Sequence, residues 1–265
     1  MMKTTVAAGV LVTLGLVAAA GVERGQEGRD FEWSGHLDRG KVIEIKGVNG
    51  DIRAEAASGG DVEVKAVKRG RRSDESEVRI DVVEHADGVT ICAVYPDRRR
   101  DRPNVCEPGR GGHLGSHNND VEVTFTVKVP AGVRFTGKTV NGDVEANDLQ
   151  ADVMGTTVNG DVSVSTSGVA RASTVNGSVS ASFGRTDWDR DLEFSTVNGD
   201  VTLEMPAGAN ADVRASTVMG RMSTDFPLEV TGRFSNRRMR GRIGSGGRRL
   251  ELKTVNGDIK LRKRG

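Results

Sequence analysis

A repeated hexapeptide constrains the fold of this chain more than any other feature. The sequence Thr-Val-Asn-Gly-Asp-Val begins at residue 139 and recurs, with changes, at 157, 174, 196, 217, 238 and 254, in steps of 18, 17, 22, 21, 21 and 16 residues. A related segment, Gly47–Ile52, lies apart in the N-terminal half. A unit this short cannot bury its own apolar face, so the units must stack on one another.

Alternating apolar residues flank each copy, as Leu250 and Leu252 before the last one and Ile259 and Leu261 after it. A period of two indicates strands with one buried face, and a slip in phase at the Thr-Val step indicates a bend. We therefore predict an all-β fold, a parallel β-solenoid (β-helix) with about 16–22 residues per rung, in which seven rungs in chain order span roughly 29 Å. Hairpins in an antiparallel sandwich are the alternative, because Asn-Gly also favours hairpins.

The sequence predicts three regions. Residues 1–20 are a signal peptide, residues 21–135 a less regular N-terminal β region with a polar loop at about 96–119, and residues 136–265 the solenoid array with a basic C-terminal end. Within the N-terminal region, 78–83 and 89–95 are predicted to form a hairpin across residues 86–88. This region either continues the solenoid or caps its end, since an open stack needs caps.

The N-terminus is typical of an export signal. A basic start at Lys3 is followed by an uncharged apolar run, Thr4–Ala20, that ends in three alanines. A retained membrane anchor is the alternative. No later stretch approaches eighteen apolar residues, so we predict no transmembrane span in the mature protein. The predicted location is exported: periplasmic, envelope-associated or extracellular.

The two cysteines, Cys92 and Cys106, are predicted to form a disulfide because an exported protein meets an oxidising environment. Thirteen residues separate them, and closing such a loop contributes about 3 kcal/mol in the chain-entropy model. A zinc site is the alternative, since His113 and His117 follow at a spacing that suits a metal. The spacing of the cysteines does not match a zinc ribbon.

Several segments together resemble a known bacterial family. They are Phe31-Glu32-Trp33, Val48-Asn49-Gly50-Asp51-Ile52, Val129-Pro130-Ala131-Gly132-Val133 and the Thr-Val-Asn-Gly-Asp-Val array. They are similar to exported adhesin-like proteins with right-handed parallel β-helix folds, whose function is unknown. The resemblance covers roughly residues 31–265. It implies a fold and no catalytic residues.

The repeated polar residues suggest two binding hypotheses. A calcium row would use the repeated Asp, but in chain order that column contains arginines and can pair internally, which disfavours a metal. The column comprises Asp143, Asp161, Ser178, Asp200, Arg221, Arg242 and Asp258. Regular hydroxyl and amide columns could instead bind an ordered surface or a glycan, although stacked Thr and Asn also stabilise such columns by themselves. This candidate repeat face comprises Thr139, Asn141, Thr157, Asn159, Thr174, Asn176, Thr196 and Asn198.

Enzymatic signals are weak. The segment 187–191 clusters three Asp around Trp188 in the longest insert between units, yet adjacent acids in a loop are usually solvated. Common nucleotide-binding, hydrolase and metalloprotease motifs are missing from the sequence. We predict no enzyme activity, no metal site and no cofactor.

Charge is distributed unevenly along the chain. Residues 233–265 contain twelve basic and two acidic side chains, although the whole chain carries a net charge of only +1. This basic end predicts contact with polyanions, namely an anionic envelope lipid or glycan or the acidic face of a protein partner; nucleic acid is not expected outside the cell. A charged cap that prevents end-to-end stacking would need the same residues. The candidate contacts are Arg237, Arg238, Arg240, Arg242, Arg248, Arg249, Arg262, Lys263 and Arg264.

The predicted function is therefore non-catalytic binding or scaffolding at the cell envelope. A polysaccharide-active enzyme or lectin that uses the solenoid face is the alternative.

Overall fold

The structure, a computed structural model, describes residues 22–24, 30–96, 103–230 and 237–264. The predicted signal peptide lies outside the described residues. The described residues form 22 strands and one short 3₁₀ helix, Glu75–Glu77. The strands of the first half are β1 (Val22–Arg24), β2 (Asp30–His36), β3 (Val42–Lys46), β4 (Ile52–Ala56), β5 (Asp61–Arg69), β6 (Arg79–His85), β7 (Gly88–Val94), β8 (Glu122–Val129), β9 (Arg134–Lys138), β10 (Val144–Leu149) and β11 (Val153–Thr156). Those of the second half are β12 (Val162–Thr166), β13 (Ala170–Ser173), β14 (Val179–Phe183), β15 (Leu192–Ser195), β16 (Val201–Pro206), β17 (Ala211–Ser216), β18 (Met222–Thr224), β19 (Glu229–Val230), β20 (Arg238–Ile243), β21 (Arg249–Lys253) and β22 (Ile259–Arg264).

These strands build two large sheets. Sheet one has twelve strands in the order β1-β6-β7-β3-β9-β11-β13-β15-β21-β17-β20-β19, and sheet two has ten in the order β18-β22-β16-β14-β12-β10-β4-β8-β5-β2. The all-β prediction and the parallel pairing of the repeats are confirmed. The predicted closed solenoid does not form. The described strands belong to two sheets, and the connections on the side opposite the repeated corners do not form a third sheet that would close the coil. Antiparallel strands also flank the parallel part, and the predicted hairpin is confirmed as β6 and β7.

Each repeat unit except the copy at 238–243 passes from one sheet to the other through its Thr-Val-Asn-Gly-Asp corner. In the second unit, β11 in sheet one leads through residues 157–161 into β12 in sheet two. Inward-facing side chains of both sheets, such as Val162 and Phe194, are fully buried in one continuous apolar core. Burying a side chain of this size contributes about 1.5–3 kcal/mol, which explains the period-two pattern of each strand.

Glycine is required at the corners because successive rungs approach closely there. Gly160 has a φ of +148°, and a Cβ at this position would collide with the carbonyl oxygen of Gly142 on the preceding rung. The same contact recurs at Gly177 against Gly160 and at Gly199 against Gly177. No L-residue with a side chain fits these positions without moving the rung below it.

The early Asn49 segment belongs to this same stack. β4 pairs in parallel with β10, and Asn49 bridges to Asn141 of the first array repeat. The N-terminal strands therefore extend both sheets, and antiparallel β5 and β2 complete that end of sheet two.

The rungs do not follow chain order, which corrects the predicted seven-rung stack. The last unit inserts between two earlier ones: β21 lies between β15 and β17, and β22 lies between β16 and β18. The short connection from Pro206 to Ala211 therefore skips one level. The predicted copy at 238–243 is not a parallel rung, because β20 pairs with β17 in an antiparallel register.

A cross-linking experiment tests this order. Val197, Val255 and Val218 occupy equivalent, solvent-exposed corner positions on three successive levels. Adjacent parallel rungs are about 4.8 Å apart, within disulfide range, whereas positions two levels apart are separated by about 9.6 Å. We expect the pair V197C/V255C to form a disulfide and the pair V197C/V218C to remain reduced, as measured by mass spectrometry of unreduced peptides. The reverse result would restore a stack in chain order.

Candidate functional site

The Thr residues of the predicted repeat face lie inside the corner. Thr139, Thr157, Thr174 and Thr196 are at most 6% exposed. Each hydroxyl donates to the carbonyl oxygen of the corner glycine one rung away, as Thr157 Oγ1 does to Gly142 at 2.8 Å. These hydroxyls are therefore satisfied within the protein, and the structure corrects the expectation that they present a binding surface.

The Asn residues of the same corner form a ladder at the surface. Asn159 Nδ2 donates to Asn141 Oδ1 at 2.8 Å, and Asn159 Oδ1 accepts from Asn176 Nδ2 at 2.8 Å. The ladder runs through Asn49, Asn141, Asn159, Asn176, Asn198 and Asn256. Beside it lies a row of partly exposed valines, which includes Val158, Val175 and Val197. The outward surface of the corner therefore consists of asparagine amides and valine side chains.

The repeated Asp residues form a second ladder, which replaces the predicted alternation of charges. Asp143 Oδ1 accepts the backbone N–H of Asp161 at 2.8 Å, and Asp200 Oδ1 accepts that of Asp258 at 2.8 Å. In spatial order the column is Asp51, Asp143, Asp161, Ser178, Asp200, Asp258 and Arg221. Arg242 is not in it, because β20 runs antiparallel outside the corner.

These backbone contacts explain why Asp recurs. The N–H of Asp258, helped by Lys260, holds the pKa of the Asp200 carboxyl below its usual range. Its contribution to stability is therefore present above the unfolded-state pKa and is lost as the pH falls through the lowered value. Within the described ranges, no group of three His, Cys, Asp or Glu side chains has the geometry to hold a metal ion.

The predicted disulfide between Cys92 and Cys106 is confirmed, with a Cα–Cα distance of 5.8 Å. It joins β7 to a loop that covers the outer face of sheet one. Under this loop the buried Glu44 carboxylate accepts from Lys138 Nζ at 2.7 Å and from the backbone N–H of Gly109 at 2.8 Å. Both sulfurs belong to the disulfide, so they are not zinc ligands alongside His113 and His117.

The basic residues near the C-terminus gather at one end of the stack. Arg238, Arg240 and Arg242 point outward from β20, while Arg248 and Arg249 lie at the start of β21. Arg262, Lys263 and Arg264 end β22 and are exposed on sheet two. Arg237 precedes β20 and is also exposed. The structure therefore brings the predicted contacts to the same end but divides them between two sheets.

Two clefts lie on the outer face of sheet one. The larger, of about 530 Å³, has a floor of hydroxyl side chains from Thr156, Ser173 and Ser195, with Arg171 and Arg110 at its sides. The smaller, of about 420 Å³, is lined by Arg214, Arg238, Arg240, Ser216, Val218 and Glu251. Sequence reasoning missed Arg214, because it precedes the basic segment and reaches β20 only through strand pairing.

The acidic insert around Trp188 is held by its aromatic side chain. Trp188 packs edge-on against the buried Phe183, with ring centroids 5.5 Å apart. Asp187 and Asp189 are more than 80% exposed and lie 3.5 and 3.1 Å from arginines of the same loop. The insert therefore presents solvated carboxylates on an anchored loop.

The repeated corner and most of the two sheets fall within a known protein family. The family model described as Toastrack DUF4097 matches residues 40–262, which run from before β3 into β22 and include every repeated corner. The chain belongs to the Toastrack DUF4097 family. No curated protein sequence matches this Toastrack chain.

Solved structures match the Toastrack chain over most of its length with low identity. One is described as a "putative cell adhesion protein" from Clostridium sporogenes, with 9% identity, a TM-score of 0.46, and coverage of 88% of this chain and 99% of that one. Another, a "putative adhesin" from Bacteroides fragilis, has 14% identity, a TM-score of 0.34, and coverage of 88% and 96%. These values carry no functional inference. In the described part of the Toastrack chain, no helix is long and apolar enough to span a membrane.

The Asn ladder should contribute measurably to stability. Asn159→Ala removes two side-chain hydrogen bonds in the middle of the ladder and leaves one amide on each side without its partner. We expect a loss of about 1–2 kcal/mol in the free energy of unfolding, measured by urea denaturation. The exposed Asn147 on β10 is the matched control, and Asn147→Ala should change stability by less than about 0.5 kcal/mol. Equal losses would show that the ladder has no special role.

The disulfide should stabilise the loop over sheet one. A Cys92→Ser/Cys106→Ser variant opens a loop with a sequence separation of 14 residues. We expect it to lose about 3 kcal/mol relative to the oxidised protein, measured by urea unfolding. Under reducing conditions the wild type should show a comparable loss. A wild-type midpoint that does not respond to reductant would contradict a stabilising disulfide.

Proposed function

We propose that the protein is a non-catalytic binding protein of the cell envelope, which contacts polyanionic lipids or glycans through its basic end. One observation carries this proposal: strand pairing collects the C-terminal basic residues at one end of a stacked, solenoid-like array. The predicted export signal would deliver such a protein to the envelope. The family match, over residues 40–262, includes every repeated corner of this array.

Much of the positive charge at this end is available to a partner. Arg242 reaches only distant carboxylates, at 3.9 Å from Asp212 and 4.0 Å from Glu229. In the described part of the chain, Arg248, Arg262 and Arg264 have no carboxylate within 4.0 Å and are exposed. Exposed cations of this kind attract an anionic surface by about 1 kcal/mol each, over a range of about one Debye length.

The charge distribution would also orient the molecule. Residues 233–265 carry a net charge of +10, whereas the chain as a whole carries +1. A cationic end on an otherwise acidic array directs that end towards an anionic surface and directs the remainder away from it. The same charges also disfavour stacking of two copies end to end, so contact and capping are compatible.

The larger cleft favours glycan binding as a second candidate function. Its floor presents the hydroxyls of Thr156, Ser173 and Ser195 at the regular spacing of parallel strands, between charged side chains. Glu193 and Glu251 also line it, but they are direct neighbours in register and Lys253 lies 3.7 and 3.0 Å from them. Because they lie side by side on one face and share one ammonium group, they do not resemble the opposed carboxylates of a glycosidase.

Envelope sedimentation with charge-reversed variants tests the proposal. The triple change R248E/R262E/R264E alters the basic end, and the triple change R69E/R71E/R72E makes the same net change at exposed positions near the opposite end. With envelopes of the source cell at low salt, we expect the first variant to bind more than about a hundredfold more weakly, because each reversal removes an attraction of about 1 kcal/mol and adds a repulsion. The second should retain binding, and wild-type binding should weaken as salt rises. Equal losses for both variants, or no wild-type binding, would refute contact through the basic end.

A further inference from the structure

Two arginines face each other on β17 and β20. In the antiparallel register of these strands, Arg214 lies directly opposite Arg240, and Ser216 lies directly opposite Arg238. Cα atoms of such opposed pairs are about 4.5–5.5 Å apart, so their side chains share one surface. All four side chains line the smaller cleft, of about 420 Å³.

This arrangement is electrostatically unfavourable by itself. Like charges placed directly opposite each other on a sheet destabilise it, whereas opposite charges stabilise it. The next pair on the same strands follows the favourable pattern, because Asp212 opposes Arg242 with a nitrogen–oxygen distance of 3.9 Å. Within the described residues, neither Arg214 nor Arg240 has a hydrogen bond or an ion pair of its side chain.

Among the described residues that line the cleft, Glu251 supplies the one carboxylate, and it does not neutralise the arginines. Glu251 on β21 is the register partner of Arg214 on β17, and it lines the cleft. Its Oε1, however, lies 3.0 Å from Lys253 Nζ. A hydrogen bond to Glu251 raises the pKa of Lys253, which keeps that ammonium charged. With Glu251 paired in this way, the guanidinium groups of Arg214 and Arg240 give their part of the cleft lining a charge of about +2.

We propose that this cleft binds a phosphate group. The inference rests on the proposed envelope-binding function and assigns a discrete site to it. A phosphate monoester carries about −1.5 to −2 charges near neutral pH, which matches the cleft. Guanidinium groups suit it because their planar donors bind two oxygens of one phosphate at once, and the Ser216 hydroxyl adds a further donor.

The rim of the cleft indicates what could be attached to the phosphate. Val218 lines the cleft and is 57% exposed, and the following residue, Met219, is 68% exposed. They are the most exposed large apolar side chains in the described part of the chain. An apolar rim beside a cationic cleft suits a phosphate monoester that carries an organic group, as in the lipid phosphatidic acid or a phosphorylated glycan.

Titration with small phosphates tests the site directly. The probes are inorganic phosphate and glucose 1-phosphate, added to the purified protein at constant ionic strength in an isothermal titration calorimeter. We expect saturable binding by the wild type and a tenfold to hundredfold weaker Kd for Arg214→Gln and for Arg240→Gln. Arg72→Gln removes the same charge at an exposed position near the opposite end of the stack and should change Kd by less than twofold. Arg214→Lys should fall between wild type and Arg214→Gln, because it keeps the charge but loses the two-oxygen contact.

Two results would overturn the proposal: no saturable binding of either phosphate by the wild type, or equal weakening in the Arg72→Gln control. Thermal unfolding in phosphate-free buffer checks that the variants are folded. Because Arg214 and Arg240 are exposed and like-charged, each Gln variant should have a Tm at or above that of the wild type.

Vesicles distinguish the source of the phosphate. If the ligand is a lipid headgroup, wild-type protein should bind vesicles that contain phosphatidic acid, whose headgroup is a phosphate monoester, and not phosphatidylcholine vesicles, and Arg240→Gln should lose most of that binding. If it is a phosphorylated glycan, glucose 1-phosphate should bind while vesicle binding is unaffected by Arg240→Gln. Phosphate binding without envelope sedimentation would refute the broader proposed function alone, and sedimentation without phosphate binding would refute the cleft alone.

Discussion

The hydrogen-bonded corner is the constraint on which the rest of the molecule depends. Parallel strands must pair in a fixed register to keep their apolar residues on the buried face, because a slip of one residue moves every side chain to the opposite face of the sheet. Here the Asn amides, the Asp carboxylates and the buried Thr hydroxyls each bond to the neighbouring rung at the same corner. Glycine, with no Cβ, permits the close approach that these bonds need. Strands that are mostly four to six residues long are thereby aligned along the parallel part of both sheets.

The same ladder explains why the rungs depart from chain order. Asn256 donates its amide to Asn198 Oδ1 at 2.7 Å, so the last unit continues the ladder from the 196–201 corner. The 217–222 corner has Met219 at this position, which can neither donate nor accept such a bond, and Arg221 replaces its Asp. A unit with these substitutions is suited to the end of a ladder and unsuited to its middle. The last repeat of the chain therefore lies inside the stack, because its Asn and Asp side chains can continue both ladders.

Sequence patterns predicted much of this and failed at identifiable points. The repeated hexapeptide predicted parallel β structure, because units this short must stack to bury their apolar residues. The oxidising environment of an exported protein predicted the Cys92–Cys106 disulfide. The burial of Thr157 was missed, since alternation alone does not show which side of a bend faces inward. Arg214 was missed because its neighbours come from strands 26 and 37 residues later in the chain, at Arg240 and Glu251. The Met219 substitution was the available signal for the terminal rung.

The end of the ladder and the charged surface have a common origin. Since the 254–259 corner takes the inner position, β17 is displaced outward by one level and becomes the partner of antiparallel β20. That pairing sets Arg214 against Arg240, a combination that chain order would not produce. Stability alone gives no reason to keep two unpaired guanidinium groups face to face, since substitution of either would relieve their repulsion. A ligand that supplies the missing negative charge gives such a reason, and it ties the proposed phosphate cleft to the rule that orders the rungs.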